Sequence, residues 1–334
     1  KERVVTSIKK ALHNAFEKYD DVILIGEDIE SPYGGAFKCT QGLSDKFPKR
    51  VYNTPISEAA ITGIGNGLAL SGLKPIVEIM FGDFLTLSLD QWLNHASKFK
   101  WMYNDQVDVP LIIRTPMGGG RGYGPTHSQS IEKHFLGIPG TRVLALHHRY
   151  SPEELYDTLF EQNNIPTLVI ENKVLYGKVI SSTPLTGYQL LQTNDVFPMV
   201  CLKPQFPADL TIIALGAISL EAEEALQKLF EEEEIVSELF MPTQLYPFNI
   251  SSLKESILKT KKLLVVEEGQ GFCSLSSEII SQVAEQFGDY KIKVKRVTAI
   301  ETPIATARPL EEVCLPNKQN ILSHAKKLYN EKTI

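Results

Sequence analysis

The chain has 334 residues, and its 34 Lys plus Arg against 40 Asp plus Glu leave a formal net charge of −6. With 43% apolar and 22% charged residues it has the composition of a soluble globular protein, and the charge balance supports neither a nucleic-acid partner nor a membrane surface. At roughly 100–200 residues per domain, the length predicts two domains.

Val5 to Tyr19 carries apolar residues at Ile8, Leu12, Ala15 and Phe16, a helical spacing. Val22 to Ile25 is a short apolar run ending at Gly26, the pattern of a parallel strand covered on both faces. Glu27 and Asp28 follow at its carboxyl end, where open α/β sheets place ligands. Ser31 to Gly35 is a loop by its turn residues. Ser57 to Leu73 reads as a Gly/Ala-rich helix, Lys74 to Met80 as a strand and Leu85 to Lys98 as a helix. The strand Val109 to Arg114 opens into the glycine-rich run Pro116 to Pro125. Strands Arg142–Ala145 and Thr167–Glu171 flank a helix Pro152–Glu161. From Ser181 to Pro207 the regularity fails, which predicts a linker. A second alternation follows: strand Leu210–Ala214, helix Leu220–Glu231, strand Val236–Phe240, helix Ser251–Thr260, strand Lys262–Glu267, helix Ser276–Phe287 and strand Lys293–Val297. Lys318 to Asn330 closes the chain as a helix. Alternating strands and helices predict an α/β protein of two domains, residues 1–180 and 208–334, each a mostly parallel sheet flanked by helices.

Cys39, Cys201, Cys273 and Cys314 form no C-x-x-C pair and no His/Cys cluster has metal-ligand spacing, so they read as reduced thiols of a cytosolic-type compartment. No signal peptide or membrane-spanning run is visible. The expected location is the cytoplasm, or the mitochondrial matrix or plastid if a targeting segment has been removed.

Taken alone, Glu58 is a carboxylate at the start of a helix, where it complements the dipole. The wider pattern says more. Gly26-Glu27-Asp28, Gly35-Ala36-Phe37-Lys38, Thr54-Pro55-Ile56-Ser57-Glu58, Gly72-Leu73-Lys74-Pro75-Ile76, Asp90-Gln91, Thr126-His127-Ser128-Gln129-Ser130, Glu171-Asn172, Glu267-Glu268-Gly269 and Pro309-Leu310-Glu311 occur in that order. Together they resemble the β subunits of the thiamine-diphosphate-dependent first component of pyruvate and branched-chain 2-oxo acid dehydrogenases. The resemblance runs over nearly the whole chain. It implies a transketolase-like pyrimidine-binding domain followed by a transketolase C-terminal domain.

By that resemblance Glu58 is the cofactor-activating glutamate, donating a hydrogen bond to the aminopyrimidine ring. A donating carboxyl must be protonated near neutrality, well above the roughly 4.3 of a free Glu; burial and a neighbouring carboxylate both push it that way. Glu27 is the implied neighbour, and the pair would titrate as a unit. Phe84 matches the aromatic residue against the pyrimidine, and Met80 and Ile56 match residues lining the same pocket. His127 matches the active-site histidine that orients the substrate carboxylate or the lipoyl acceptor. His134, His147 and His148 read as structural or surface residues. Arg121 and Tyr123 receive no role. The glycine-rich run is no phosphate cradle, because it lacks the Gly-Lys-Ser/Thr ending of a P-loop.

Thiamine diphosphate needs a divalent ion on its diphosphate, which this cofactor class holds through a Gly-Asp-Gly motif. The chain has only Gly82-Asp83-Phe84 and Gly288-Asp289-Tyr290. The resemblance therefore implies a half-site, with diphosphate and Mg2+ held by an α subunit in an α2β2 heterotetramer with a β–β contact, and a lipoyl acyltransferase as acyl acceptor. Gly63, Gly65, Gly67 and Ala69 suit either a close subunit interface or close packing within the fold. The family's structural K+ site usually has an acidic pattern; Gln162-Asn163-Asn164-Ile165-Pro166 departs from it by an inserted residue and a missing Asp. Two other functions compete: a carboligase or acyl-transfer subunit of secondary metabolism, and a non-catalytic structural subunit.

Overall fold

A computed structural model describes residues 2–162 and 164–331, so the departure read at Asn163 lies outside the described residues. The contacts divide the chain into two compact units.

The first unit comprises residues up to 118, 134–146 and 150–180. It contains α1 (Val4–Lys18), β1 (Val22–Gly26), α2 (Leu43–Lys46), β2 (Val51–Asn53), α3 (Glu58–Leu70), β3 (Lys74–Glu78), α4 (Ser97–Met102), β4 (Ile112–Met117), β5 (Arg142–Ala145), α5 (Pro152–Glu161) and β6 (Thr167–Asn172). Its strands lie in the order β5-β6-β4-β3-β1-β2, all parallel. The buried stripe of α1, Val4, Ile8, Ala11, Leu12, Ala15 and Phe16, follows the 3.6-residue period. β4 is buried along its whole length, as the middle strand of a doubly covered sheet must be.

Three differences from the sequence reading have local causes. β4 begins at Ile112 rather than Val109, because Pro110 cannot donate to the ladder. The expected helix Leu85–Lys98 is a 3-10 turn Gly82–Ser88, a π-helical stretch Gln91–Ala96 and then α4. The glycine-rich segment Gly119–Lys133, read with the first domain, makes its contacts in the second unit, as does His147–Arg149.

One feature of this sheet departs from apolar packing. Arg114 on β4 is only 1% exposed, and it lies in register with Glu78 on β3. Its Nε donates to Glu171 Oε1 at 3.0 Å, a second guanidinium nitrogen bonds Glu171 Oε2 and the third bonds Glu78. Tyr156 and Tyr176 donate their hydroxyls to Glu171 at 2.5 and 2.8 Å. A buried charge is tolerable only when paired and hydrogen-bonded in this way. Burial still pushes the Glu78 carboxyl above its ordinary range, against the pull of Arg114.

The second unit comprises 119–133, 147–149 and residues from 181 on. It contains β7 (Tyr188–Gln192), β8 (Met199–Pro204), β9 (Leu210–Ala214), α6 (Ser219–Glu233), β10 (Ser237–Pro242), β11 (Gln244–Tyr246), α7 (Lys254–Thr260), β12 (Lys262–Gln270), α8 (Leu275–Phe287), β13 (Lys293–Ala299), α9 (Arg308–Cys314) and α10 (Lys318–Asn330). The sheet order is β13-β12-β9-β10-β8-β7. β8 runs antiparallel to β7 and β10, and the other pairs are parallel. The stretch expected as a linker thus carries two strands. β7 is mostly exposed, so it lacks the apolar run by which the other strands are read. α10 starts at a capping box made by Asn317 and Asn320.

His147 and His148 are structural, as expected. Burial holds the His147 imidazole down at about 3, and His148 and Arg149 grip Glu223, whose carboxyl falls to about 2 despite its own burial. Among the described residues no helix is long and apolar enough to cross a membrane.

Candidate active site

Two strand ends and one helix start build the site in the first unit. β1 ends at Gly26, where a side chain has no room: a Cβ would lie 2.8 Å from the Glu78 carbonyl oxygen. The chain then turns, and Asp28 takes a positive φ of 53°. Glu27 is thereby held at the carboxyl edge of the sheet with 6% of its surface exposed. Asn53, at the end of β2, secures the turn by accepting from the amides of Ile29 and Glu30.

Glu58 opens α3 and is 5% exposed. Ser57 caps the helix, its hydroxyl accepting from the Ala60 amide at 3.4 Å. The Ser88 hydroxyl fastens the first turn by donating to the Glu58 carbonyl.

The two carboxylates interact. Burial raises the Glu27 carboxyl above its ordinary range, the charge of Glu58 raises it further, and a hydrogen bond from the Ser57 amide works the other way. Glu27 Oε1 is buried with no hydrogen-bond partner in the described structure. Such an atom in a native fold calls for a partner from outside the chain or for a proton. A nitrogen heterocycle with donors and acceptors on its edge fits that need.

Met80 and Phe84 follow the end of β3, both half-buried. Phe84 meets Phe81 edge-on, with centroids 6.3 Å apart. Phe81 in turn meets Phe37 at 6.0 Å, and the buried Lys173 ammonium lies 5.4 Å from its ring centre. Gly82, between them, has no space for a side chain, since a Cβ would stand 2.9 Å from Met117 Cγ. The sequence reading selects Phe84 alone; the two aromatics of Phe81-Gly82-Asp83-Phe84 are the available signal for Phe81, and no local signal points to Phe37. Ile56 is 83% exposed in the isolated chain.

The structure therefore brings Glu27 and Glu58 together in the first unit, with Met80 and Phe84 carried by the same unit. His127 belongs to the second unit. It is half-buried, its amide donates to the Gly124 carbonyl, and its Nδ1 lies 2.9 Å from the Thr126 hydroxyl. The loop that carries it is held by two carboxylates for which the sequence reading has no role. Glu268 Oε1 accepts from the Gly119 amide at 2.7 Å and the Ser130 hydroxyl at 2.9 Å. Glu311 accepts from the amides of Gly120 and Gly122, both at 2.9 Å. Both glutamates stand in motifs quoted above, yet spacing cannot show which distant amides a carboxylate will meet.

No group of three or more His, Cys, Asp or Glu side chains suited to a metal ion occurs among the described residues. The small-residue helix divides its faces. A Cβ on Gly65 would press on Val77 and Leu111 at 2.8 and 3.0 Å, and Ala69 is buried. Gly67 meets nothing within 4 Å and borders an open groove of about 620 Å³ with Ala60, Gly63, Gln91, His95 and Phe99.

The sequence profile of the transketolase pyrimidine-binding domain matches residues 3–178, and that of the transketolase C-terminal domain matches residues 203–321. The chain is 33% identical to a mitochondrial pyruvate dehydrogenase E1 component subunit beta-1 of Arabidopsis thaliana, covering 96% of this chain and 88% of the relative. It is 31% identical to the acetoin:2,6-dichlorophenolindophenol oxidoreductase subunit beta of Bacillus subtilis (strain 168), over 97% and 96%. A solved split-gene transketolase, described as an inactive beta4 tetramer, superposes with a TM-score of 0.72 over 97% of both chains at 19% identity, which speaks to the fold. The chain belongs to the transketolase-type family that includes these pyruvate dehydrogenase and acetoin oxidoreductase β subunits.

Proposed function

We propose that this family member is the β subunit of a thiamine-diphosphate-dependent 2-oxo acid dehydrogenase, decarboxylating a 2-oxo acid and passing the acyl group to a lipoyl domain in concert with an α subunit. The observation that carries the reading is the buried Glu27–Glu58 pair with its unsatisfied Glu27 oxygen. Thiamine diphosphate, when bound, supplies the carbon nucleophile and the electron sink for decarboxylation. Glu58 would hydrogen-bond its pyrimidine ring, Glu27 would share the proton of that carboxyl pair, and Phe84, Met80 and Ile56 would form the pocket wall. His127 orients the substrate carboxylate or the lipoyl acceptor.

The diphosphate and Mg2+ belong to the α subunit, since the chain has no Gly-Asp-Gly. Ile56 is so exposed because a partner completes the pocket. The open face of α3 beside Gly63 and Gly67 is a subunit contact in an α2β2 assembly. The first unit is the pyrimidine-binding domain and the second, which includes β7 and β8, the C-terminal domain.

The test is reconstitution with the α partner. Glu58→Gln lowers decarboxylation by about 100-fold or more while the chain folds and assembles normally. Wild-type turnover in that variant sinks the assignment and favours a non-catalytic subunit.

The similarity to an acetoin oxidoreductase β subunit favours one second reading, in which the same half-site serves an acyl-transfer or carboligase enzyme. Acyl transfer to a lipoyl domain, compared with transfer to an aldehyde, separates the two.

A further inference from the structure

The segment from Gly119 to Ser130 has no regular secondary structure, yet it must present His127 in a fixed place if that side chain is to act. Glycine loops are entropically costly to order, so something has to hold this one. Within the second unit the holding groups are carboxylates. Glu311 lies in the first turn of α9, is 3% exposed and spends both oxygens on the loop: Oε1 accepts from Gly120 N and Oε2 from Gly122 N, each at 2.9 Å. Gly120 and Gly122 have φ of 80° and 69°, the left-handed conformation that turns alternate amides toward one anion. The anion site of the loop is thus filled from within the chain. Two further contacts bracket it. Glu268 ties Gly119 to Ser130, and a Cβ on Gly124 would lie 2.5 Å from the Thr306 hydroxyl, which leaves that turn no slack.

We infer that Glu311 is a positioning residue: its carboxylate fixes the backbone at Gly120 and Gly122 and thereby the placement of His127 three residues beyond Gly124. This rests on the role proposed above for His127, in its form in which the imidazole orients the lipoyl acceptor. Charge-assisted bonds to backbone amides are among the stronger ones available to a loop, and misplacement of an acting group by about 1 Å costs on the order of 100-fold in rate. The predicted signature is therefore a fall in turnover without a matching fall in 2-oxo acid binding.

Arg121 stands between the two clamped glycines and is exposed, so trypsin reports on the clamp directly. In limited digestion of the full chain, with fragments identified by mass, Glu311→Ala is cut after Arg121 about 10-fold faster than wild type, because cleavage tracks local opening. Glu312→Ala, an exposed neighbour on the same helix, keeps the wild-type rate. Equal rates for Glu311→Ala and wild type, or an equal increase in Glu312→Ala, overturn the inference. Should Glu311→Ala not fold, Glu311→Gln keeps the size but turns one acceptor into a donor facing an amide; it too is cut faster, and an unchanged rate overturns the clamp. In the assembled α/β enzyme Glu311→Gln lowers kcat for acyl transfer to a lipoyl domain by about 10-fold or more, with KM for the 2-oxo acid within about twofold. A faster cut with unchanged kcat overturns the positioning role. His127→Ala is measured alongside. If it transfers acyl groups at the wild-type rate, the reading of His127 fails, while the digestion still decides whether Glu311 holds the loop.

Discussion

The charge of Glu58 acts on Glu27 across the carboxyl end of β1, and with burial it drives the Glu27 carboxyl toward its neutral form. The sign of the resulting pH dependence follows. A carboxyl whose folded pKa is raised binds its proton more tightly in the folded state, so between the ordinary carboxylate range and the raised value the folded chain holds more protons than the unfolded one, and stability falls as pH rises through that window. Glu27→Gln has no charge to bury. Its Tm declines less than that of wild type between about pH 4.5 and pH 7.5, and reconstituted decarboxylation drops by about 10-fold or more because the shared proton is gone. Identical Tm profiles for the two chains rule out the coupling.

The Arg114 site makes a separate stability prediction. Arg114→Met leaves Glu78 and Glu171 buried without their cation. Removing one partner of a buried ion pair costs about 3–5 kcal/mol, and here two carboxylates lose it together. Denaturant unfolding of the chain alone measures the loss. A double replacement of Arg114 and Glu78 by apolar residues recovers part of it, because fewer uncompensated charges remain; no recovery means that the cluster is not held together by charge.

Much of this was legible in the sequence. Helices α5 and α10 and strands β5 and β9 fall where periodicity and apolar runs place them, since each buries one continuous face or both. Glu27 and Glu58 were legible for another reason: a strand end and a helix start are positions that local pattern defines. What local pattern cannot define is a contact between distant segments. The grip of Glu311 on Gly120 and Gly122 spans 191 and 189 residues. Strand β7 is hidden because an edge strand exposed on one side carries no strong run; β8 is buried and apolar, but it runs antiparallel between β7 and β10 and so falls outside the strand–helix alternation. The 3-10 and π turns after Phe81 read as one helix, since each differs from the α-helix by less than a residue per turn and leaves a similar apolar spacing.

The divided face of α3 gives opposite outcomes for two similar substitutions. Gly65→Ala forces a methyl against Val77 and Leu111 at 2.8 and 3.0 Å and lowers stability by about 1–3 kcal/mol. Gly67→Ala meets open space and raises the stability of the isolated chain by about 0.5–1 kcal/mol, through helix propensity. Gly67→Leu leaves the isolated chain folded but blocks assembly with the α subunit, read as loss of the heterotetramer in sedimentation. Normal assembly of that variant removes the Gly63–Gly67 face from the proposed contact.

Glu132 gives the sharpest pH prediction in the second unit. Burial raises its carboxyl from 4.5 to about 7, with Glu267 and Glu268 adding to the rise and Lys133 opposing it. Oε2 is buried and unpaired in the described structure, and the backbone hydrogen bond at Glu132 and the charge of Lys133 offset only part of the cost of ionisation. The folded chain therefore keeps this proton up to about pH 7, where the unfolded chain has already lost it. The stability available below the unfolded value is lost as pH rises through that interval, by on the order of 3 kcal/mol at most. Glu132→Gln cannot ionise, and its unfolding free energy changes less than that of wild type between about pH 5 and pH 8. Urea unfolding at a series of pH values compares the two chains. Parallel curves mean that Glu132 is already ionised in the folded protein and that a neighbouring cation or water satisfies Oε2.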